Sequence, residues 1–258
     1  MFILKYSIFT FLALIAGVSC SSAPKEKTGN AEKDTLRADS KVEIYLPDHL
    51  PVAKPTKSAM ALYMDSLGLV NVAELDSTIA VRLMYTQADN FTGEVLYDNL
   101  SEAYLHPDAA KRLLAAQQNL RRIHPSYSLL IYDAARPMSV QKKMWKVVGG
   151  TSKSRYVSNP AHGGGLHNYG LAVDISIQDS LGNPLPMGTQ VDHLGSEEHI
   201  TQELEMVRNG KMSEAERQNR LLLRKVMKEA GFRPLPTEWW HYNYCSREVA
   251  KQKYKLIP

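Results

Sequence analysis

Between Leu171 and Ile177 the side chains alternate, with Leu171, Val173, Ile175 and Ile177 on one side and Ala172, Asp174 and Ser176 on the other. A period of two predicts a strand with one face in the core, and it turns Asp174 away from the apolar layer, toward a site. The shorter apolar run Ser128-Leu-Leu-Ile-Tyr132 predicts a second core strand, with Asp133-Ala-Ala-Arg136-Pro137 lying just past its end. Helical spacing replaces alternation from Pro107 to Ile123, where Ala110, Leu113, Leu114 and Leu120 form a stripe interrupted by the polar Gln117 and Pro107 suits a first turn. Another helix follows Pro137 and runs through Met144 and Trp145. Ser213-Glu-Ala-Glu216 has the spacing of a capping box and opens an amphipathic helix carrying Leu221, Leu222, Val226 and Met227, closed by Gly231.

The first residues follow a different pattern. Lys5 precedes a mostly apolar run from Ile8 to Val18, too short to span a membrane as a helix and shaped as an export signal. It ends in Gly17-Val18-Ser19-Cys20, which resembles a bacterial lipobox with Cys20 as the lipidated residue. Residues 1–20 therefore read as a lipoprotein signal peptide. Residues 21–40 are rich in Ser, Lys, Glu, Asp and Ala and read as a disordered linker, because so few apolar side chains cannot bury enough surface to fold. The expected arrangement is an exported, membrane-anchored lipoprotein with one domain, residues 41–258, in the periplasm.

Composition narrows the function classes. A net charge of +4 with Lys and Arg interleaved among Asp and Glu marks no nucleic-acid surface. With 2 cysteines in all, lipidation of Cys20 leaves Cys245 without a partner, so a disulfide scaffold is excluded and Cys245 reads as a small buried residue in an aromatic strand.

The chemistry concentrates in His167-Asn-Tyr-Gly-Leu-Ala-Val-Asp174 and Glu238-Trp-Trp-His241. Two imidazoles and a carboxylate give three protein ligands for a zinc ion, leaving a fourth position open. On an unbroken strand, residues seven apart point to opposite faces about 23 Å away from each other. His167 and Asp174 can share an ion only if the chain turns between them, and Gly170 permits that turn. Glu238 and His241, three apart, are mismatched for one face of a flat strand, so Glu238 is expected at a strand start or a bulge after Pro234 and Pro236. With His167, Asp174 and His241 on one zinc per chain, Glu238 is the spare carboxylate that serves as general base. Arg136, on the loop after a core strand, can donate to a carbonyl oxygen as it becomes an oxyanion. The reaction these parts perform is amide hydrolysis.

These residues resemble the zinc D-alanyl-D-alanine dipeptidases, the VanX-like branch of peptidase family M15. The family pattern Ser-x-His-x-x-Gly-x-Ala-x-Asp is matched at His167, Gly170, Ala172 and Asp174, and Glu-Trp-Trp-His at Glu238 to His241. Tyr85 to Gly93, Tyr132-Asp-Ala-Ala-Arg-Pro137 and Met187-Gly-Thr-Gln-Val-Asp192 extend the likeness from about Leu69 to Ile257. The resemblance implies an α+β fold, a small central antiparallel sheet flanked by helices as in the hedgehog and D,D-peptidase zinc domains. It implies the same metal ligands, base and arginine, and it adds Asp192 as the anchor for a free substrate ammonium. One position departs: the family serine two residues before the first histidine is Gly165, so that hydroxyl contact is missing or comes from another group. Three functions follow. A dipeptidase acting on D-alanyl-D-alanine is favoured by Asp192, a D,D-carboxypeptidase or endopeptidase on longer peptidoglycan peptides would not need that anchor, and a non-catalytic envelope-binding module would not need Glu238.

Overall fold

The computed structural model describes residues 56–258. The expected signal peptide, Cys20 and linker lie outside them. In chain order the elements are α1 (Ala59–Ser66), β1 (Val70–Asn71), α2 (Val72–Leu75), β2 (Ala80–Val81), β3 (Tyr104–Leu105), α3 (Pro107–Ile123), β4 (Ser128–Asp133), α4 (Met138–Val148), β5 (Ala172–Gln178), α5 (Glu203–Arg208), α6 (Glu214–Glu229), β6 (Arg233–Leu235), β7 (Glu238–Asn243) and α7 (Arg247–Lys253). This is an α+β fold. Its central sheet has the strand order β2-β4-β5-β7-β6, and β1 pairs with β3 in a separate two-stranded sheet.

The antiparallel heart of the sheet, β4-β5-β7-β6, matches the sequence expectation, and β2 adds a short parallel edge against β4. β5 departs from the half-buried pattern, because Val173, Ile175 and Ile177 are buried and so are Ala172, Asp174 and Ser176. A central strand covered on both faces tolerates polar residues only where partners wait for them, which singles out Asp174.

Helix caps behave as their residues dictate. Pro107 opens α3, with the His106 side chain accepting from the Asp108 N–H at 3.2 Å. Gln117, the polar break in the α3 stripe, is fully buried and satisfied: its Nε2 donates to Thr78 Oγ1 at 2.9 Å and its Oε1 accepts from the Leu129 N–H at 2.8 Å. In α6 the capping box forms, the Ser213 Oγ accepting from the Glu216 N–H at 3.2 Å and the Glu216 carboxylate from the Ser213 N–H at 2.7 Å. The buried face of α6 is Arg220, Leu223, Val226 and Met227, with Leu221 and Leu222 at its margins. The stripe is turned from the expected one because Arg220 goes inward to hydrogen-bond a loop.

Two irregularities place functional residues. The β4–β5 register shifts between Ile131 and Asp133, which puts Asp133 opposite Asp174, and β5–β7 pairing puts His241 opposite Asp174. Asp133, Asp174 and His241 thus form a row across three strands. At the β6–β7 edge one step in β6, Pro234 to Leu235, faces the four-residue step Tyr242 to Glu238. Pro234 has no N–H for the ladder, and the resulting bulge settles how Glu238, the first residue of β7, and His241 come to share a site.

Candidate active site

His167 reaches the row from outside the sheet. It sits in a short 3-10 helix, Leu166–Tyr169, ended by Gly170 at φ 65°, a left-handed conformation that costs other residues energy. A side chain at 170 would also bring its Cβ within 2.9 Å of the His106 backbone nitrogen. The turn required between His167 and Asp174 is therefore at Gly170.

Three ligand atoms converge. His167 Nε2 lies 3.2 Å from Asp174 Oδ2 and 3.2 Å from His241 Nδ1, which is 2.9 Å from Asp174 Oδ1. Donors about 2.0–2.1 Å from a tetrahedral ion stand about 3.3 Å apart, so the spacing fits a small divalent cation. The outer ring nitrogens fix the tautomers. His167 Nδ1 donates to the Ala134 carbonyl at 2.7 Å and His241 Nε2 to Asn243 Oδ1 at 2.9 Å. Each ring then points a lone pair at the other beside a carboxylate, a set that a cation satisfies. Burial alone would raise the Asp174 carboxyl, but His167 and His241 hold it well below the usual range, as an anion.

Glu238 stands beside this set, its Oε2 3.9 Å from His241 Nδ1. Burial pushes its carboxyl up to about 8, and Asp174, Asp192 and Glu198 push the same way against the pull of His241. A carboxylate with proton affinity near neutrality suits a general base.

Arg136 is oriented by groups the sequence reading left without roles. Asp133, fully buried, accepts from Arg136 Nε at 3.0 Å and from Nη2, and accepts from Tyr97 Oη at 2.6 Å. Arg136 Nη1 donates to Gln141 Oε1 at 3.1 Å, and the guanidinium lies 5.2 Å over the Tyr85 ring. Nη2 comes within 3.9 Å of Asp174 Oδ2, at the edge of the ligand set. The signal for Asp133 was its place at the end of an apolar strand three residues before Arg136.

Asp192 completes the cleft from the loop after β5. It has φ 61° and accepts from Tyr85 Oη. Burial and the nearby Asp174 raise its carboxyl to about 7, against the Tyr85 hydrogen bond and Arg136. Arg220, 1% exposed, holds this loop: Nε donates to the Met187 carbonyl at 2.6 Å, Nη1 to the Glu197 carbonyl at 3.1 Å and Nη2 to Thr189 Oγ1 at 3.2 Å. Trp239 Nε1 donates to the same Thr189 hydroxyl at 2.8 Å. Nothing in the heptad-like pattern of α6 distinguishes an inward arginine from a surface one.

The structure brings every candidate within the described residues to one cleft of about 390 Å³, a size suited to a small ligand. The matching family model, D-Ala-D-Ala dipeptidase of the M15 peptidases, spans residues 65–257. The chain belongs to this family. It is 31% identical over 182 residues to the D-alanyl-D-alanine dipeptidase of Escherichia coli K12, covering 69% of this chain and 85% of that one. It is 30% identical over 176 residues to the Synechocystis sp. enzyme of the same name, 57% of this chain and 71% of that one, and 25% identical over 173 residues to the Enterococcus faecalis enzyme, 61% and 82%. As an M15 peptidase the chain is a metallohydrolase, and His167, Asp174 and His241 are its possible metal-binding group.

Cys245 is buried, as expected of a packing residue, but it lies just past the end of β7 rather than in the strand, and it has no disulfide partner among the described residues. His162 and His193 are exposed, and His199 is half-buried away from the ligand group.

Proposed function

We propose that the protein is a zinc dipeptidase that hydrolyses D-alanyl-D-alanine to free D-alanine at the cell envelope. The observation that carries this is the convergence of two outward-donating histidines, a buried carboxylate and an unligated glutamate in one cleft. Zinc, when held by His167, Asp174 and His241, supplies Lewis acidity toward the amide carbonyl and toward water. Glu238 takes the proton from the attacking water and delivers it to the departing amine. Arg136, held by Asp133 and Gln141, directs its guanidinium to the carbonyl oxygen as negative charge develops. Asp192 receives the substrate ammonium: a half-buried carboxyl whose one side-chain hydrogen-bond partner is a tyrosine gains from an arriving cation. That contact restricts the substrate to a free amino terminus one residue from the scissile bond.

Turnover of D-alanyl-D-alanine compared with its N-acetyl derivative and a longer peptidoglycan peptide tests the substrate. The free dipeptide should be the fastest of the three, and faster turnover of the longer peptide would make this a carboxypeptidase or endopeptidase. The envelope location rests on Lys5, the apolar run and the Gly17-Val18-Ser19-Cys20 stretch. Fractionating cells that carry Cys20→Ser checks it: the parent should sediment with membranes and the variant should not.

A further inference from the structure

The cleft carries a second polar wall that the roles above leave unused. Ser158 lines it beside Gly165, and its Oγ makes no hydrogen bond among the described residues. The residue is nevertheless fixed, since Gln141 Nε2 donates to the Ser158 carbonyl at 2.7 Å while its Oε1 holds Arg136. Glycine at 165 is what gives the hydroxyl its place. A Cβ at 165 would lie 2.6 Å from Ser158 Oγ and 3.1 Å from Ser158 Cβ, so a side chain there would push the Ser158 hydroxyl out of this position.

Arg247 lines the same cleft. Its Nη2 donates to the His162 carbonyl at 2.7 Å, at the end of the 3-10 helix Pro160–His162, and its Nη1 makes no hydrogen bond among the described residues. The other cleft arginines differ: Arg136 is engaged by Asp133 and Gln141, and Arg233 is exposed on β6. A half-buried guanidinium with a free edge and a free hydroxyl lining one cleft offer donors and one positive charge, the complement of an anion.

We infer that Ser158 and Arg247 form the subsite for the free carboxylate of the substrate. This rests on the dipeptidase reading, in which the substrate carries one anionic group, its terminal carboxylate. Asp192 and Arg247 then recognise the two charged ends of one zwitterion, and the pair selects a molecule two residues long.

Binding, rather than turnover, tests the assignment. D-alanyl-D-alanine and D-alanyl-D-alanine amide are titrated calorimetrically into zinc-loaded Glu238→Gln protein, and into the same protein carrying Ser158→Ala or Arg247→Gln. The free acid should bind about 10- to 100-fold more tightly than the amide in the first protein, the effect of a charge-assisted hydrogen bond. Arg247→Gln should abolish that preference and Ser158→Ala should reduce it several-fold, with amide binding unchanged in both. A preference that survives both substitutions, an equal loss for acid and amide, or no preference at the outset overturns the subsite. A protein that shows the preference yet releases no D-alanine with Glu238 restored overturns the dipeptidase reading and leaves the subsite standing.

Discussion

Asp174 and His241 are register partners across β5 and β7, and this pairing sets His241 Nδ1 2.9 Å from Asp174 Oδ1. Two ligands of the proposed metal are thereby fixed by strand pairing in the central sheet. The third, His167, depends on a turn, and the orientation of each histidine depends on one oxygen behind it.

Removing such an oxygen should weaken the metal without unfolding the protein. Asn243→Ala takes away the acceptor for His241 Nε2 at a half-buried position near the end of β7. Zinc affinity, measured against a competing chelator, should fall by about 10- to 100-fold. Unchanged affinity would mean that Asn243 does not orient the ring.

Gly170→Ala should act through the backbone. It forces a side chain into φ 65° and against the His106 nitrogen, 2.9 Å from the new Cβ. A loss of roughly 1–3 kcal/mol in urea unfolding is expected, with weaker zinc binding because His167 moves with the turn. Full stability would show that the turn can be rebuilt without glycine.

Asp133→Asn should separate positioning of Arg136 from metal binding. The substitution removes the negative charge that holds Arg136 Nε and Nη2. Catalytic efficiency should drop by on the order of 100-fold while one zinc per chain is retained. Loss of zinc in step with activity would assign Asp133 to the metal through its 3.6 Å approach to His167 Nδ1.

Much of this site could be read along the chain because its signals are local. The glycine after His167-Asn-Tyr and the proline-flanked Glu238 each state a constraint within a few residues that the folded chain meets, while the alternation through Asp174 marks the strand but not the burial of both its faces. What could not be read depends on pairing and packing. Asp133 joins Asp174 through a register shift in β4, and Arg220 replaces the expected leucines on the inner face of α6 because a distant loop offers it carbonyls. Ser158 and Gly165, seven residues apart, come into contact only once the 3-10 helix between them, Pro160–His162, is folded.

Glu198 supplies a pH signature. It is fully buried near the Asp192 loop, its Oε1 accepting from the Gly195 N–H at 2.7 Å and its Oε2 without a partner among the described residues. Burial raises its carboxyl from 4.5 to about 7, so the folded state holds a proton that the unfolded chain releases. That contribution is fully present below pH 4.5 and is lost as pH rises through about 7. Glu198→Gln should therefore be near neutral in stability at acidic pH and gain on the order of 2 kcal/mol over the parent by pH 8. Equal unfolding midpoints for the two proteins at both ends of the range would refute this.

The division of labour between His241 and Glu238 is tested most directly by measuring zinc content and D-alanine release together in Glu238→Ala and His241→Ala. The predicted result is that Glu238→Ala keeps one zinc per chain and loses about 100- to 10,000-fold in turnover, the range for a general base, whereas His241→Ala loses metal and activity alike. Equal metal loss in the two variants, or turnover by Glu238→Ala close to that of the parent, would contradict a metallohydrolase in which Glu238 is the base.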